Sequence, residues 1–574
     1  MATDSADFAC RELFDVLTGH GLRDVVLSPG SRDTALLLAA SARKNLRKHI
    51  IADERTAGFA ALGIAMVSQR PVALVCTSGT ALYNYAPALA EAYYQKIPLI
   101  AISADRPEQW IGQDDSQTMI QPGALREIVK KSFDIPPCGA MSTLSACEKF
   151  KTEWEWFVNR TFNDAFNTAT SGIPGPVHVN MQFAVPFNKA TEYAEGNPRI
   201  IINEPNDASL PPHRLKEIAN YLIDKRILLV AGFMAADNKT NKAVSAFASL
   251  PNVSVIAEPL SNLHLNIANR PAFPMLSRMT DVEKLELRPD IIITIGGALV
   301  SAEIKKFLRN CEGAEHWTLS DTPMSADCFM RLSRHIEVSP CRLLSSVSSM
   351  LRHILKKGTV LTPPQFGDVW RTAIEHDSTV SVEKYNNSPW SDLKAIYKIY
   401  NEIPDSFNLF LSNGTTVRYA GMLMKRLPHA CYSNRGVSGI DGTNATAFGC
   451  SMAYKGTTLL LTGDISFSYC QEILNLCESD ADLRIAVINN GGGGIFRVVK
   501  TTRDLDIREE YICCDQRMPL EALARAYNWN YLRADSEATL QTALKELIEK
   551  KRTIIEIVTD PEASAKAMIN FMNK

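Results

Sequence analysis

The chain has 574 residues, 46% hydrophobic and 22% charged, an ordinary globular composition that excludes disordered, collagen-like and low-complexity proteins. With 61 basic and 63 acidic side chains the formal charge is −2, so no global basic field exists to hold nucleic acid or an anionic membrane. The 13 cysteines are scattered without zinc spacing, the first residues lack a signal-peptide pattern, and no apolar run approaches the ~18 residues of a membrane span; together these predict a reduced, cytoplasmic chain with neither a nucleic-acid nor a membrane partner.

Helical apolar spacing runs from Asp7 to Leu17, followed by a short strand at Val25–Leu27 and a turn, Ser28–Pro29–Gly30–Ser31. Arg32 to Ala42 reads as a helix, His49 to Ala52 as a strand, and Arg55 to Ser68 as a helix rich in small residues. Pro71 to Cys76 is a strand, Thr77–Thr80 a turn, Ala81 to Gln95 one helix, and Pro98 to Ser103 a strand. The unit closes near Pro176–Asn180, and residues 186–212, rich in Pro, Asn and Glu, read as a linker. A second alternating unit has strands at Ile227–Val230, Val253–Ile256 and Ile291–Ile295. Residues 356–390 are weakly patterned, and a third unit begins near Ser391, with strands at Leu409–Leu411, Thr458–Leu461, Ile485–Ile488 and Ile554–Val558. Short apolar strands alternating with helices imply parallel sheets covered on both faces, so the predicted fold is α/β with three doubly wound parallel-sheet domains, at 1–185, 205–355 and 385–574.

The third unit carries the strongest local signal. The strand Thr458–Leu461 runs into Gly463–Asp464, and the strand Leu483–Ile488 ends at Asn489–Asn490 and the glycines 491–494. The 25 residues between Asp464 and Asn490 suffice for a crossover connection. Both polar residues then lie at the carboxyl ends of neighbouring parallel strands, where ligand crevices form. One carboxylate, one amide oxygen and one backbone carbonyl make a hard-oxygen set for Mg²⁺, with phosphates completing the octahedron. Glycines let backbone approach a diphosphate closely. Asp464 alone reads better as a helix cap.

The whole arrangement resembles the diphosphate-binding motif of thiamine-diphosphate (ThDP) enzymes. Such enzymes need a carboxylate near N1′ of the aminopyrimidine, and Glu54, in Ile50–Ile51–Ala52–Asp53–Glu54–Arg55, fits by position. The match extends in order through Ser28–Arg32, Asp53–Arg55, Thr77–Thr80 and Ala104–Pro107 in the first unit. In the third it runs through Ser433–Gly436, Gly439–Gly442 and Ile495–Phe496. On these segments the chain resembles the MenD family of ThDP-dependent synthases of menaquinone biosynthesis.

The resemblance implies a transferase that decarboxylates 2-oxoglutarate and adds the remaining succinyl-semialdehyde unit to isochorismate, with ThDP and Mg²⁺ (or Mn²⁺) as cofactors. It names the first domain as pyrimidine-binding and the third as diphosphate-binding. It assigns catalysis to Glu54, Arg32 and Gln117 and substrate binding to Arg32, Arg106, Gln117, Arg418 and Arg435. It assigns cofactor contacts to Glu54, Ile440, Asp464, Asn490, Gly492, Ile495 and Phe496, with Asp464, Asn490 and the Gly492 carbonyl as metal ligands. Arginine suits both substrates, because its fork grips carboxylates by two bonds. The resemblance also implies a homodimer at minimum, and a homotetramer, with cofactor held between the first unit of one subunit and the third of another.

Two positions depart from the family. Gly414 stands where Ser is common, so that a hydroxyl contact passes to Thr415 or Thr416. Ala302 stands near a basic position, with Lys305 or Lys306 one turn later and Glu303 between. Three other functions remain as alternatives. One is a pyruvate-using carboligase of the acetolactate-synthase kind, which needs fewer arginines. Another is a silent ThDP-fold regulatory protein, which would lack Glu54 or the metal ligands. The third is a dinucleotide oxidoreductase, for which no GxGxxG opens a helix after a strand.

Overall fold

The structure is a computed structural model that describes residues 2–138, 148–183, 194–204, 209–265, 272–323, 326–356, 364–476, 480–514 and 518–574. It contains three wholly parallel sheets. The first has β1 (Asp24–Ser28), β2 (Arg47–Ile50), β3 (Val72–Cys76), β4 (Leu99–Asp105), β5 (Ser132–Ile135) and β6 (Val177–Gln182), in the order β2-β1-β3-β4-β6-β5. The second has β7 (Ile227–Ala231), β8 (Val253–Ala257), β9 (Ile291–Ile295), β10 (Glu315–Ser320) and β11 (Leu332–Glu337), ordered β11-β10-β9-β7-β8. The third has β12 (Asn408–Leu411), β13 (Ala430–Tyr432), β14 (Thr458–Gly463), β15 (Leu483–Asn489), β16 (Asn530–Ala534) and β17 (Thr553–Val558), ordered β13-β12-β14-β15-β17-β16. The central strands β1, β3, β4, β7 and β15 are buried throughout, as continuous apolar runs covered by helices on both faces require.

The chain forms two compact units. One comprises Met1–Pro205, Asn434–Lys455 and Tyr469–Asp482, and the other Asn206–Ser433, Gly456–Ser468 and Leu483–Lys574. Within the first, the helices Glu54–Ser68 and Thr443–Ala453 cross at glycines. A Cβ on Gly63 would lie 2.0 Å from Thr446 O, and one on Gly449 2.0 Å from Ala60 O. Any side chain at either glycine would push the helices apart, so this small-residue helix is a packing surface.

Three expectations are corrected. The single helix Ala81 to Gln95 is two, Thr80–Asn84 and Ala86–Gln95, broken at Tyr85 where Pro87 starts the second. The weakly patterned stretch 356–390, of which 357–363 lie outside the described residues, holds a long helix, Phe366–Asn386. Its buried face is Phe366, Trp370, Asp377 and Ser381, so half of its stripe reads polar. The polar half is satisfied by the buried Arg278, whose Nη1 donates to Asp377 Oδ1 at 2.7 Å and Ser381 Oγ at 2.8 Å. Of the linker 186–212, residues 186–193 and 205–208 lie outside the described residues. Residues 194–204 are strapped down in the first unit: Asn159 Nδ2 donates to Arg199 O at 3.0 Å, and Asn163 Oδ1 accepts from Ile201 N at 2.7 Å. Asn167 Nδ2 donates to Ile201 O at 2.7 Å, so asparagines one helical turn apart form a ladder along Glu148–Thr170.

Candidate active site

In the first unit the candidate residues lie at the carboxyl ends of parallel strands. Arg32 follows β1, Glu54 opens the helix after β2, and Arg106 directly follows β4. Asp53 caps the Glu54 helix, its Oδ1 accepting from Thr56 N at 2.8 Å. Glu54 is half-buried and lies within electrostatic reach of the buried Asp33, Cys76 and Tyr85. Burial pushes the Asp33 carboxyl up to about 7, with Glu54 adding to the effect. Asp33 Oδ1 accepts from Gly30 N at 2.8 Å and so shapes the Ser28–Ser31 turn.

Arg32 is buried and donates from Nη1 to Phe183 O at 3.3 Å. Burial, then the nearby Arg106, lower its pKa, while Asp115 and Asp105 oppose. Two guanidiniums thus share one neighbourhood, as anion binding requires. Gln117 is exposed, with a left-handed φ of 53° that is rare for a non-glycine residue and common at functional turns. Its carbonyl accepts from Ser78 Oγ at 2.9 Å. Beneath this loop lies a buried polar network. Gln121 Oε1 accepts from Gly79 N at 2.7 Å, its Nε2 donates to Asn180 Oδ1 at 2.9 Å, and Asn180 Nδ2 donates to Asp105 Oδ2 at 2.9 Å.

Arg435 and Ile440 belong to the same unit, on the segment before the Thr443–Ala453 helix. That segment is clamped by the buried Glu91, whose carboxylate accepts from Gly436 N and, at 2.8 Å, from Val437 N. Gly442 turns the chain into the helix at φ 68°, with the Phe59 ring where a Cβ would stand. Ile440 remains 37% exposed, unusual for an isoleucine beside so ordered a turn.

The second unit carries Arg418, Asp464, Asn490, Gly492, Ile495 and Phe496. β14 and β15 pair directly, with Gly463 opposite Ile488, so Asp464 and Asn490 lie at neighbouring strand ends. Asp464 is buried. Its Oδ1 accepts from Ile465 N and its Oδ2 from Gly492 N, each at 2.8 Å. Burial raises its pKa, these backbone donors lower it, and the charge of Asp392 raises it again. Gly491, Gly492 and Gly493 all have positive φ, and a Cβ on Gly492 would lie 2.8 Å from Cys514 O. Only glycine fits this close turn. Asn490 Nδ2 donates to Asp392 Oδ2 at 2.8 Å. The other oxygen of Asp392 accepts from Thr559 Oγ1 at 2.6 Å and Ser564 Oγ at 3.0 Å. The amide of Asn490 is therefore held in one orientation, its Oδ1 turned away from Asp392. Arg497 Nη1 donates to Gly492 O at 2.6 Å, and its Nη2 lies 2.6 Å from Glu509 Oε2. Ile495 and Phe496 sit on the short helix Gly494–Arg497, with Phe496 37% exposed.

Arg418, on the helix Thr415–Leu423, donates to the Gly414 carbonyl. Gly414 has φ 101°, a conformation that strains a side chain even though the space beside it is open. The buried Thr416 hydroxyl is bonded to Ser412 Oγ at 2.8 Å. In the middle sheet Ala302 opens the helix Ala302–Arg309, capped by Ser301. Glu258 fixes the preceding loop, accepting from Val300 N at 2.6 Å and Ser301 N at 2.8 Å. Lys305 is half-buried and Lys306 exposed on that helix. Asp392, Glu91, Arg497 and Gln121 escaped sequence reasoning. Asp392, Glu91 and Gln121 act on partners distant in the chain, and Arg497 on Gly492 and Glu509 nearby, where its role shows only in the folded turn.

Residues 10–125 match the N-terminal TPP binding domain of thiamine pyrophosphate enzymes, and residues 413–557 match their C-terminal TPP binding domain. Fold and site together define a thiamine-diphosphate-dependent enzyme. The chain is 35% identical to the 2-succinyl-5-enolpyruvyl-6-hydroxy-3-cyclohexene-1-carboxylate synthase of Porphyromonas gingivalis, over 97% of this chain and 96% of the relative. It is 33% identical to the synthase of the same name from Cytophaga hutchinsonii and 32% identical to that from Flavobacterium psychrophilum, in each case over 98% of both chains. The chain belongs to this synthase family.

Proposed function

We propose that the chain joins 2-oxoglutarate, with loss of CO₂, to isochorismate and forms 2-succinyl-5-enolpyruvyl-6-hydroxy-3-cyclohexene-1-carboxylate in menaquinone biosynthesis. The observation that supports this reading is the nearness of two guanidiniums at the carboxyl end of the first sheet: Arg32 after β1, next to the β2 that leads to Glu54, and Arg106 after β4. Both substrates are dicarboxylates, and a pyruvate-using carboligase has less need of paired guanidiniums.

The donor set fits Mg²⁺ with a diphosphate through Asp464 and Asn490, with the Gly492 carbonyl, one lone pair of which is engaged by Arg497, offering its other. Asp464 keeps lone pairs beyond the backbone N–H groups it accepts, and Asn490 Oδ1 faces away from Asp392. The glycine at 492 is required by the Cys513 and Cys514 carbonyls, which stand where a Cβ would and fix the shape of the turn. Asp464, Asn490 and the Gly492 carbonyl are the proposed ligands of Mg²⁺, with Mn²⁺ as substitute. When bound, ThDP supplies the nucleophilic carbon that adds to the 2-oxo acid and accommodates the electrons left by CO₂.

The chain's own groups do the rest. Glu54 exchanges a proton with N1′ of the aminopyrimidine. Ile440 braces the cofactor, while Ile495 and Phe496 wall the reacting centre and exclude water. Arg32, Arg106, Arg418 and Arg435 bind the substrate carboxylates, and Gln117 orients substrate by hydrogen bonds. The active form is a homodimer at minimum, assembled as a homotetramer, in the cytoplasm; no helix among the described residues is long and apolar enough to cross a membrane.

The test is an assay of purified protein with ThDP, Mg²⁺, 2-oxoglutarate and isochorismate, followed by mass spectrometry with each component omitted in turn. Product that requires all four is expected. CO₂ release without a joined product would point to a different acceptor, and turnover of pyruvate alone would move the chain to the acetolactate-synthase kind.

A further inference from the structure

The loop after β4 carries a carboxylate to which the proposed reaction gives no task. Asp115 Oδ2 lies 2.6 Å from Arg106 Nη1, and Arg106 Nε donates to Ser116 O at 2.9 Å. A guanidinium grips a carboxylate in parallel through Nε with Nη2, or through Nη1 with Nη2. Here Nε is taken by Ser116, and Nη1 carries the carboxylate of Asp115, the preceding residue of the same loop. The Nε–Nη2 edge is thus closed by Ser116, and the Nη1–Nη2 edge, the one left for a ligand carboxylate, is shared with the Asp115 carboxylate beside Nη1. A substrate carboxylate on that edge must compete with Asp115 for Arg106.

Charge singles out Asp115. The mutual repulsion of Arg32 and Arg106 is opposed by Asp115 and Asp105. Asp105 is buried and bound to Asn180 and to its own neighbour's N–H, so it is not free to leave. Asp115 has a side chain 31% exposed, against 21% for Arg106. Among the described residues its Oδ1 accepts only from Ser116 N, at 2.9 Å, within the same turn. That turn is strained: Asp114 and Gln117, on either side, have φ of 55° and 53°. Ser78 Oγ holds the turn at the Gln117 carbonyl, so a shift at Asp115 need not displace the whole loop.

We propose that Asp115 is a placeholder carboxylate, which occupies Arg106 in the substrate-free chain and yields it to a carboxylate of the incoming dicarboxylic acid. It is a positioning residue and acts through Arg106. A monocarboxylate must break the ion pair for a single new one. A dicarboxylate breaks it and engages a second cation, so Asp115 also favours the doubly charged substrate. The inference rests on the reading of Arg106 as a carboxylate binder in the proposed function.

Asp115→Asn and Asp115→Ala test it in the ThDP- and Mg²⁺-loaded enzyme, with succinate as an unreactive dicarboxylate probe in calorimetry. Both variants are expected to bind succinate about tenfold tighter than the unaltered chain, the size of one competing charge-assisted contact. The KM for 2-oxoglutarate or isochorismate should fall by a similar factor, with any change in kcat smaller. Adding Arg106→Gln to Asp115→Asn should abolish the gain. Equal or weaker succinate binding in both variants would overturn the exchange and make Asp115 a holder of Arg106. Tighter succinate binding in variants of an enzyme that does not join the two substrates would leave the exchange standing and count against the proposed function alone.

Discussion

The first and third sheets follow one plan. The orders β2-β1-β3-β4-β6-β5 and β13-β12-β14-β15-β17-β16 are the same order shifted along the chain. In each, an arginine follows the first strand: Arg32 after β1 and Arg418 after β12. The later loops diverge. After the second strand comes Glu54 in one and the Arg435–Ile440 segment in the other. After the third come the Thr77–Thr80 turn and Asp464. After the fourth come the Arg106–Gln117 loop and the Asn490–Phe496 run. The loops of the third sheet are tightly wired: Asp464 and Asn490 are buried, glycines close the turn, and Asp392 fixes the amide. The fourth-strand loop of the first sheet is open, strained and held by a partly exposed ion pair. One topology thus offers two kinds of crevice. On the proposed function, a resident cofactor is served by donors held in place, and a substrate that comes and goes by donors that can exchange partners.

That contrast can be broken at several points. The largest effect is expected at Glu54. Glu54→Gln should slow H/D exchange at C2 of bound ThDP by about 10²–10⁴-fold while leaving cofactor and Mg²⁺ affinity within a few-fold. Unchanged exchange, read by NMR, would remove Glu54 from its role. On the anchoring side, Asp464→Ala should weaken Mg²⁺-dependent ThDP retention by about 100-fold or more, and Asp392→Asn by about tenfold. In the latter variant the new amide must face donors on both sides, Asn490 on one and Thr559 with Ser564 on the other, and it has only one acceptor atom. Mg²⁺ titrations that return the same affinity for Asp392→Asn would mean that its carboxylate does not aim Asn490.

The smallest effect concerns pH. Folded Asp33 holds its proton up to about 7, against an ordinary value of 3.8. Between those values the folded chain binds more protons than the unfolded one. The stability this group contributes is therefore full below 3.8 and is lost as pH rises through about 7. Asp33→Asn keeps an acceptor for Gly30 N and abolishes the titration. Urea midpoints at about pH 5 and about pH 8 should show the unaltered chain losing ground to the variant at the higher value. A constant offset at both would sink the idea that Asp33 carries this proton.

Legibility tracked how local each feature was. Asp464 and Asn490 were readable because each closes a buried apolar strand, and strand ends in parallel sheets are where ligands bind; Glu54, after the largely polar β2, was readable only by its place in the family resemblance. Four of the strands that went unread, β5, β11, β13 and β16, are sheet edges. Edge strands are short or half-exposed, as the mostly exposed β11 illustrates, and lose the continuous apolar run. β10 lies inside its sheet but reads Glu-His-Trp-Thr-Leu-Ser, polar at alternate positions. Without those strands the shared plan of the first and third sheets was invisible. The helix Phe366–Asn386 was hidden because Arg278, far back in the chain, satisfies its buried Asp377 and Ser381.

The sequence by itself determined the α/β class, the cofactor family and the identity of the chemical groups. These rest on hydrophobic periodicity and on short motifs whose residues are neighbours in the chain. The tertiary structure alone decided which groups support which: Asp392 behind Asn490, Glu91 beneath Gly436, Gln121 under the Arg106 loop, and Asp115 on Arg106 itself. The physical reason is that a buried hydrogen bond or ion pair is set by distance and direction in space, and most of these partners stand tens to hundreds of residues apart. Asp115 lies near Arg106 in the chain. Only the fold of their loop shows that its carboxylate stands 2.6 Å from Nη1 while Ser116 O takes Nε.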